Sequence, residues 1–213
     1  VTRTRAEDVP AEHRSTVAHF TALAEAHGVD ARALDWRGRE SQELRFSVLA
    51  RIGIAPEARV LDVGCGQGDL LPWLRARGFA GTYLGVDITP SMVATARQRF
   101  PDARFERVDL LAEDTPAPGR FDVVLASGIF YRRAVAPDTF MRAMVARMFA
   151  LAEHGLAFNS LSTWAAGRDP GEFYADPAAV LAWCRAITPW VALLHDYHPG
   201  DFTVLMRRGR APA

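Results

Sequence analysis

The chain contains no lysine, so all 25 of its formal cations are arginines, and they are matched by 25 carboxylates for a net charge of zero. That balance removes any global electrostatic reason to expect a polyanionic partner, because nucleic-acid binding leans on phosphate neutralisation. Cysteine is scarce as well. Cys65 and Cys184 are too few and too separated for a disulfide framework or a metal cluster, so no metal is expected. No apolar run approaches the roughly 20 residues that span a bilayer, and the opening VTRTRAEDVPAEHR has no apolar signal region, so a cytoplasmic protein without a membrane partner is expected. The first residue is Val1 rather than methionine, and an initiator or leading segment is expected to be missing. The remaining composition, 49% hydrophobic and 23% charged over 213 residues, suits one globular domain over 1–213.

From Arg59 onward, short apolar or β-branched runs alternate with helical patterns. RVLDVG is followed by LLPWLRAR, TYLGVDI by SMVATARQRF, then ARFERVD; FDVVLASG precedes a helix from Pro137, and GLAFNSLS one from Pro177. This alternation predicts an α/β fold with a mostly parallel sheet and helices on both faces. Thr89 before Pro90 and Asp176 before Pro177 pair a capping side chain with proline at the first helical position. Met141, Met144, Val145, Met148 and Phe149 recur at helical spacing, the pattern of core packing, and Gly155 follows that helix. WVALLHDY and DFTVLMRR, joined by the turn HPG, predict a C-terminal antiparallel hairpin closing the sheet. Residues 1–55 carry helical patterns only, in TVAHFTALAEAH and ESQELRFSVLARIG, and are expected to cap the sheet's edge as a lid or a fixed cover. Glu113 to Arg120 read as a turn-rich loop.

The stretch VLDVGCGQG places Gly64, Gly66 and Gly68 where a strand gives way to a helix, and glycine there lets the backbone turn and approach a ligand. Asp87, nineteen residues after Gly68, ends the next strand, where an acid grips a ribose diol in such folds. Together they indicate an adenosine-type cofactor. A G-x-G-x-x-G dinucleotide pattern would need glycine at position 69, which is Asp69, and a pyrophosphate would be repelled by Asp69 and Asp62. A cationic ligand such as S-adenosylmethionine would not be.

At these motifs the chain resembles the class I S-adenosylmethionine-dependent methyltransferases, over roughly residues 39–208. The resemblance implies a Rossmann-like seven-stranded sheet with S-adenosyl-L-methionine as cofactor and S-adenosyl-L-homocysteine as product. VLDVGCGQG, with Asp62, Gly64, Cys65, Gly66 and Gly68, matches the motif that contacts the methionyl part. GVDITPSM matches the ribose and adenine segment, where Asp87 would bind the hydroxyls while Ile88 and Met92 pack on the base. Asp109 and Leu110 stand where the family meets the adenine amino group and ring, and FDVVLASGIF puts Ser127 and Gly128 near the sulfonium. Arg45 occupies a position that some members use for the cofactor carboxylate, with Arg37 and Arg39 as competitors.

Methyl transfer from a sulfonium is an in-line displacement, so positioning the acceptor atom carries much of the catalysis. Oxygen acceptors usually need proton removal, a task that suits a histidine. His198 is the first candidate base, His195 the second, with Tyr131 and Tyr174 as acceptor-orienting alternatives. The strand four segment reads Ser-Gly-Ile-Phe, where the base-amino methyltransferases resemble one another in an (Asn/Asp)-Pro-Pro-aromatic motif, and Ser127 replaces the acid of the metal-dependent catechol-type members. A small-molecule acceptor is therefore expected, with oxygen first, and nitrogen or carbon as the alternative. Arg132 and Arg133 border that segment and could bind an anionic acceptor as arginine forks; Phe130, Asn159 and Tyr174 complete the expected pocket. Two readings from other classes stay open: a nicotinamide-dependent oxidoreductase, and a cofactor-binding protein without turnover. The sequence says nothing of oligomeric state.

Overall fold

The computed structural model describes residues 13–112, 118–132 and 136–210. Arg133 and most of the turn-rich stretch 113–120 lie outside the described residues.

All seven expected strands are present: β1 (Arg59–Val63), β2 (Thr82–Asp87), β3 (Arg104–Arg107), β4 (Phe121–Ala126), β5 (Ala152–Leu161), β6 (Val191–Leu194) and β7 (Asp201–Arg207). They form one sheet in the order β3-β2-β1-β4-β5-β7-β6. Only β7 runs antiparallel to its neighbours, as in the pairs Phe158↔Val204 and Leu193↔Val204. The order reverses between β1 and β4, the crevice at which open α/β sheets take ligands.

Side-chain alternation along each strand sends successive residues to opposite faces. In β5, Ala157 meets one core with Val60, Leu125 and Leu205, whereas Leu156 and Phe158 meet a second with Leu61, Val124 and Val204. The first face is covered by α2 (Arg39–Leu49), α3 (Leu70–Arg75) and α4 (Pro90–Arg99), the second by α5 (Pro137–Leu151) and α6 (Pro177–Ile187). The methionine stripe of α5 is core as expected, since Met141, Met144 and Met148 are all buried.

Several local expectations are corrected. Asp176 caps α6 by accepting the Ala178 and Ala179 amides, but Thr89 makes no side-chain cap on α4. Its side chain is buried, and its backbone amide donates to Asp87 Oδ1 at 2.8 Å. Gly155 does follow α5, which ends at Leu151, but not as its cap. It lies inside β5, where a Cβ would come within 2.8 Å of the Met206 carbonyl, so the site demands close strand packing. The HPG turn is the end of a six-residue connection, 195–200, in which the Gly200 carbonyl accepts the Ser162 amide.

The N-terminal region also divides in two. Helix α2 is part of the helical layer, with Phe46, Val48 and Leu49 buried against the sheet. Only α1 (Arg14–His27), which has no buried residue, and the following 3-10 turn (Ala31–Leu34) lie outside that layer. They are tied to the body by the Gln67 amide donating to the Gly28 carbonyl at 2.7 Å and by the Tyr131 hydroxyl donating to Asp35 at 2.7 Å.

Candidate active site

A cavity of about 730 Å³ opens at the carboxyl ends of β1, β2 and β4, inside the range of small-molecule sites. Its floor is the loop after β1. Gly64 and Gly66 have φ of 73° and 52°, backbone that L side chains rarely adopt. The loop is pinned to β2: the Gly64 and Cys65 amides donate to the Val86 carbonyl, and the Gly66 amide donates to Asp87 Oδ2 at 2.9 Å. Asp87 Oδ1 accepts the Thr89 amide at 2.8 Å. Burial pushes the Asp87 carboxyl upward, opposed by these hydrogen bonds, and lone pairs remain for a ligand's hydroxyls.

Gly68 does not line the cavity. A Cβ there would meet the Phe105 ring at 2.9 Å, so this glycine serves packing against β3. The space above Gly66 is filled by Leu34 and that above Gly128 by Trp36, both from the segment before α2. Leu34 and Trp36 thus belong to the cavity wall.

Asp62 is 3% exposed and accepts the Tyr83 hydroxyl. Burial pushes its carboxyl up to about 7, with Asp87 and Asp69 adding repulsion while Tyr83 opposes. Asp69 is different: its carboxylate pairs with Arg99 at 2.7 Å. The expected repulsion of a pyrophosphate by Asp69 is therefore largely neutralised, and Asp62 alone keeps that part of the argument.

Ile88, Met92, Asp109 and Leu110 all line the same cavity, as do Ser127 and Gly128 at the end of β4. Asp109 Oδ1 accepts the Leu111 amide at 3.0 Å, and Oδ2 lies 2.8 Å from His13 Nε2. Ser127 Oγ is buried without a hydrogen-bond partner, a polar atom left available on the wall. Cys65 also lines it, but burial holds its thiol well above the usual range, which excludes a thiolate nucleophile.

On the other side stand Phe130, Tyr131, Arg132, Asn159, Tyr174 and His198. Asn159 Oδ1 accepts the Gly128 amide at 2.7 Å, which fixes the carboxamide. The Tyr131 phenol is held well above its ordinary range by burial and by Asp35, so it stays protonated and can only orient. Tyr174 donates to Glu172. His195 is not brought to the cavity: its ring meets Ser162 Oγ at 2.8 Å and stacks on Trp164. Burial lowers the proton affinity of His198, with Arg45, Arg37 and His195 lowering it further and Asp201 opposing.

Arg45 reaches the cavity but is largely committed. Its Nε donates to Asp201 Oδ2 at 2.7 Å, and Nη1 donates to Ser41 Oγ and to the Ser41 carbonyl. Asp201, His13, Asp35 and Leu34 are cavity residues that sequence reading missed. Only Asp201 had a signal, an acid opening an apolar strand.

Among the described residues no group of three or more His, Cys, Asp or Glu could hold a metal ion, and no helix is long and apolar enough to cross a membrane. A loop whose positive-φ glycines bring the backbone up to the cavity, an acid at the β2 end and a buried acid below them suit a cationic adenosine cofactor. The family described as a methyltransferase domain matches residues 60–155. A Mycobacterium tuberculosis protein named as a methyltransferase is 35% identical over 165 residues, covering 74% of this chain and 97% of that one. Trans-aconitate 2-methyltransferase of Delftia acidovorans is 43% identical over 95 residues, 40% of this chain but only 34% of that protein. The fold matches magnesium protoporphyrin IX methyltransferase of Synechocystis, solved with bound S-adenosylhomocysteine, at a TM-score of 0.66 and 18% identity over 92% of this chain and 95% of that one. The glycine loop, the acid that clasps it and these matches agree: the chain belongs to the class I S-adenosylmethionine-dependent methyltransferases.

Proposed function

We propose that this methyltransferase transfers the methyl group to a hydroxyl oxygen of a small molecule, with His198 as the base. The observation that carries the reading is the position of His198: a histidine of lowered proton affinity, neutral near pH 7, on the wall of the cavity that also holds the glycine loop. The cofactor, when bound, supplies a methyl group already activated on a sulfonium. The chain's own residues do the rest. Gly64, Gly66 and Asp87 hold the ribose and methionyl parts, Ile88 and Met92 flank the adenine, and Asp109 faces its amino group. Asp62, beneath the loop, offers a carboxylate to the cofactor's ammonium. Tyr131 and Asn159 orient the acceptor, and Phe130 forms an apolar wall. His198 Nε2 then takes the proton that the acceptor oxygen loses. The cavity volume supports a small acceptor, because the cofactor alone is a drug-sized ligand and 730 Å³ leaves limited room beside it.

A second reading, esterification of a small acid, is favoured by Arg132 and Arg37 at the cavity and by the likeness to trans-aconitate 2-methyltransferases. A carboxylate oxygen needs no base. Incubation with methyl-labelled cofactor and the small-molecule fraction of a cell extract, followed by mass spectrometry, separates the readings. A labelled product stable to mild alkali is the ether expected here, whereas label released as methanol indicates an ester. Label on nitrogen or carbon overturns both.

A further inference from the structure

We propose that Asp201 is the positioning residue for His198, its Oδ1 receiving the His198 Nδ1–H so that Nε2 faces the acceptor. The inference rests on the reading of His198 as the base. Asp201 opens β7 and is 4% exposed. Both of Arg45's contacts to it, through Nε and Nη2, fall on one oxygen, Oδ2. The other, Oδ1, is buried and has no hydrogen-bond partner. A carboxylate serving only to tie β7 to α2 would have no reason to keep an unsatisfied oxygen, since leaving it desolvated and unpaired is costly. An ionisable donor lies close by: His198 Nδ1 is 3.5 Å from Oδ1. Both side chains line the cavity.

The same ring nitrogen has a second partner. The Gly200 amide donates to His198 Nδ1 at 3.1 Å, so the neutral ring at rest carries its proton on Nε2 and cannot accept another there. Exchanging Gly200 for Asp201 Oδ1 closes the 3.5 Å separation and goes with the other neutral tautomer, in which solvent has taken the Nε2 proton and supplied one to Nδ1, leaving the Nε2 lone pair exposed. When the acceptor O–H bond breaks, its proton goes to Nε2 as the oxygen gains the methyl group and the cofactor sulfur keeps the electron pair. The resulting imidazolium is balanced by Asp201. Three further groups act on the ring through their charge: Arg45 from α2, Arg37 from the turn before it, and His195 from its own connection. The two arginines and His195 disfavour the imidazolium, which leaves Asp201 as the group that favours it.

The test uses the full chain labelled with ¹⁵N-histidine and saturated with S-adenosylhomocysteine, with His198→Gln to assign the signals. Below the His198 midpoint, a slowly exchanging low-field Nδ1 proton is expected in the wild type and moved upfield in Asp201→Asn, whose amide oxygen accepts without a charge, with the midpoint about one pH unit lower in the variant. An unchanged proton signal and midpoint in folded Asp201→Asn overturns the proposal, as does absence of the signal in the wild type. The underlying reading has its own arm: once the incubation has identified an acceptor, His198→Gln should lose at least tenfold in kcat. If kcat is retained, His198 is not the base, and any hydrogen bond to Asp201 is structural.

Discussion

The side chain of Asp87 and the backbone amide of Gly66 are joined by a 2.9 Å hydrogen bond, so the acid at the end of β2 both shapes the glycine loop and faces the cavity. A ligand that uses Asp87 therefore also depends on the loop it braces. Asp87→Ala is expected to weaken S-adenosylhomocysteine binding roughly tenfold to hundredfold, the scale of a lost hydrogen-bond pair to a charged group. Isothermal calorimetry measures this directly. An affinity within twofold of wild type, in a variant with an unchanged circular dichroism spectrum, would remove Asp87 from the ribose site.

The two glycines Gly66 and Gly68 look alike in the sequence and differ in the structure. A Cβ at Gly66 meets Leu34 at 2.5 Å over the cavity, while one at Gly68 meets Phe105 at 2.9 Å in the core. Both have positive φ, which costs an L residue about 1–2 kcal/mol. Gly66→Ala and Gly68→Ala should each lower the melting temperature, by roughly 2–8 °C for a chain of this size. Only Gly66→Ala should also weaken S-adenosylhomocysteine binding. Equal losses of affinity in the two variants would mean that Gly68 contacts the cofactor after all.

Asp62 makes a pH prediction. Its carboxyl ionises near 4 in an unfolded chain and near 7 in the free fold. Between those values the folded state binds the proton more tightly, so stability is greatest at low pH and falls as pH rises toward 7. Asp62→Asn, which can still accept the Tyr83 hydroxyl, lacks that loss. The melting temperature of Asp62→Asn minus that of wild type should therefore increase by several degrees between pH 5 and pH 8, corresponding to about 1–3 kcal/mol. A constant difference across this range would show that Asp62 is ionised throughout.

The contrast between strand order and side-chain destinations explains what could be read in advance. Strands such as RVLDV and TYLGVD announce themselves because β-branched apolar runs bounded by glycine or proline have few other uses, and their alternation with helices dictates a sheet covered on both faces. The loop glycines and Asp87 were legible because their chemistry is local. Arg45 was not: its partner Asp201 lies 156 residues away, and nothing around Arg45 announces it. Asp69 and Arg99, thirty residues apart, are joined only once the end of α4 reaches the start of α3. Thr89 stands at the start of α4 without capping it, because its backbone amide is drawn to Asp87, two residues earlier, and its side chain is buried away from the first helical amides. His195 was a plausible base by position, yet Ser162 and the Trp164 ring hold it away from the cavity.

His13 and Asp109 give the final prediction. Asp109 uses Oδ1 for the Leu111 amide, and Oδ2 is the oxygen available to an adenine amino group, yet His13 Nε2 already lies 2.8 Å from it. The imidazole comes from the residue just before α1 and lines the same cavity, so an adenine using Asp109 competes with it. Removing the ring should then tighten binding, because the cofactor no longer breaks an existing contact. His13→Ala is expected to bind S-adenosylhomocysteine about two- to tenfold more tightly by calorimetry, while Asp109→Ala binds it more weakly. If His13→Ala weakens binding instead, the histidine is a wall of the adenine site that shares Asp109 with the base. If neither variant alters affinity, the adenine does not use Asp109.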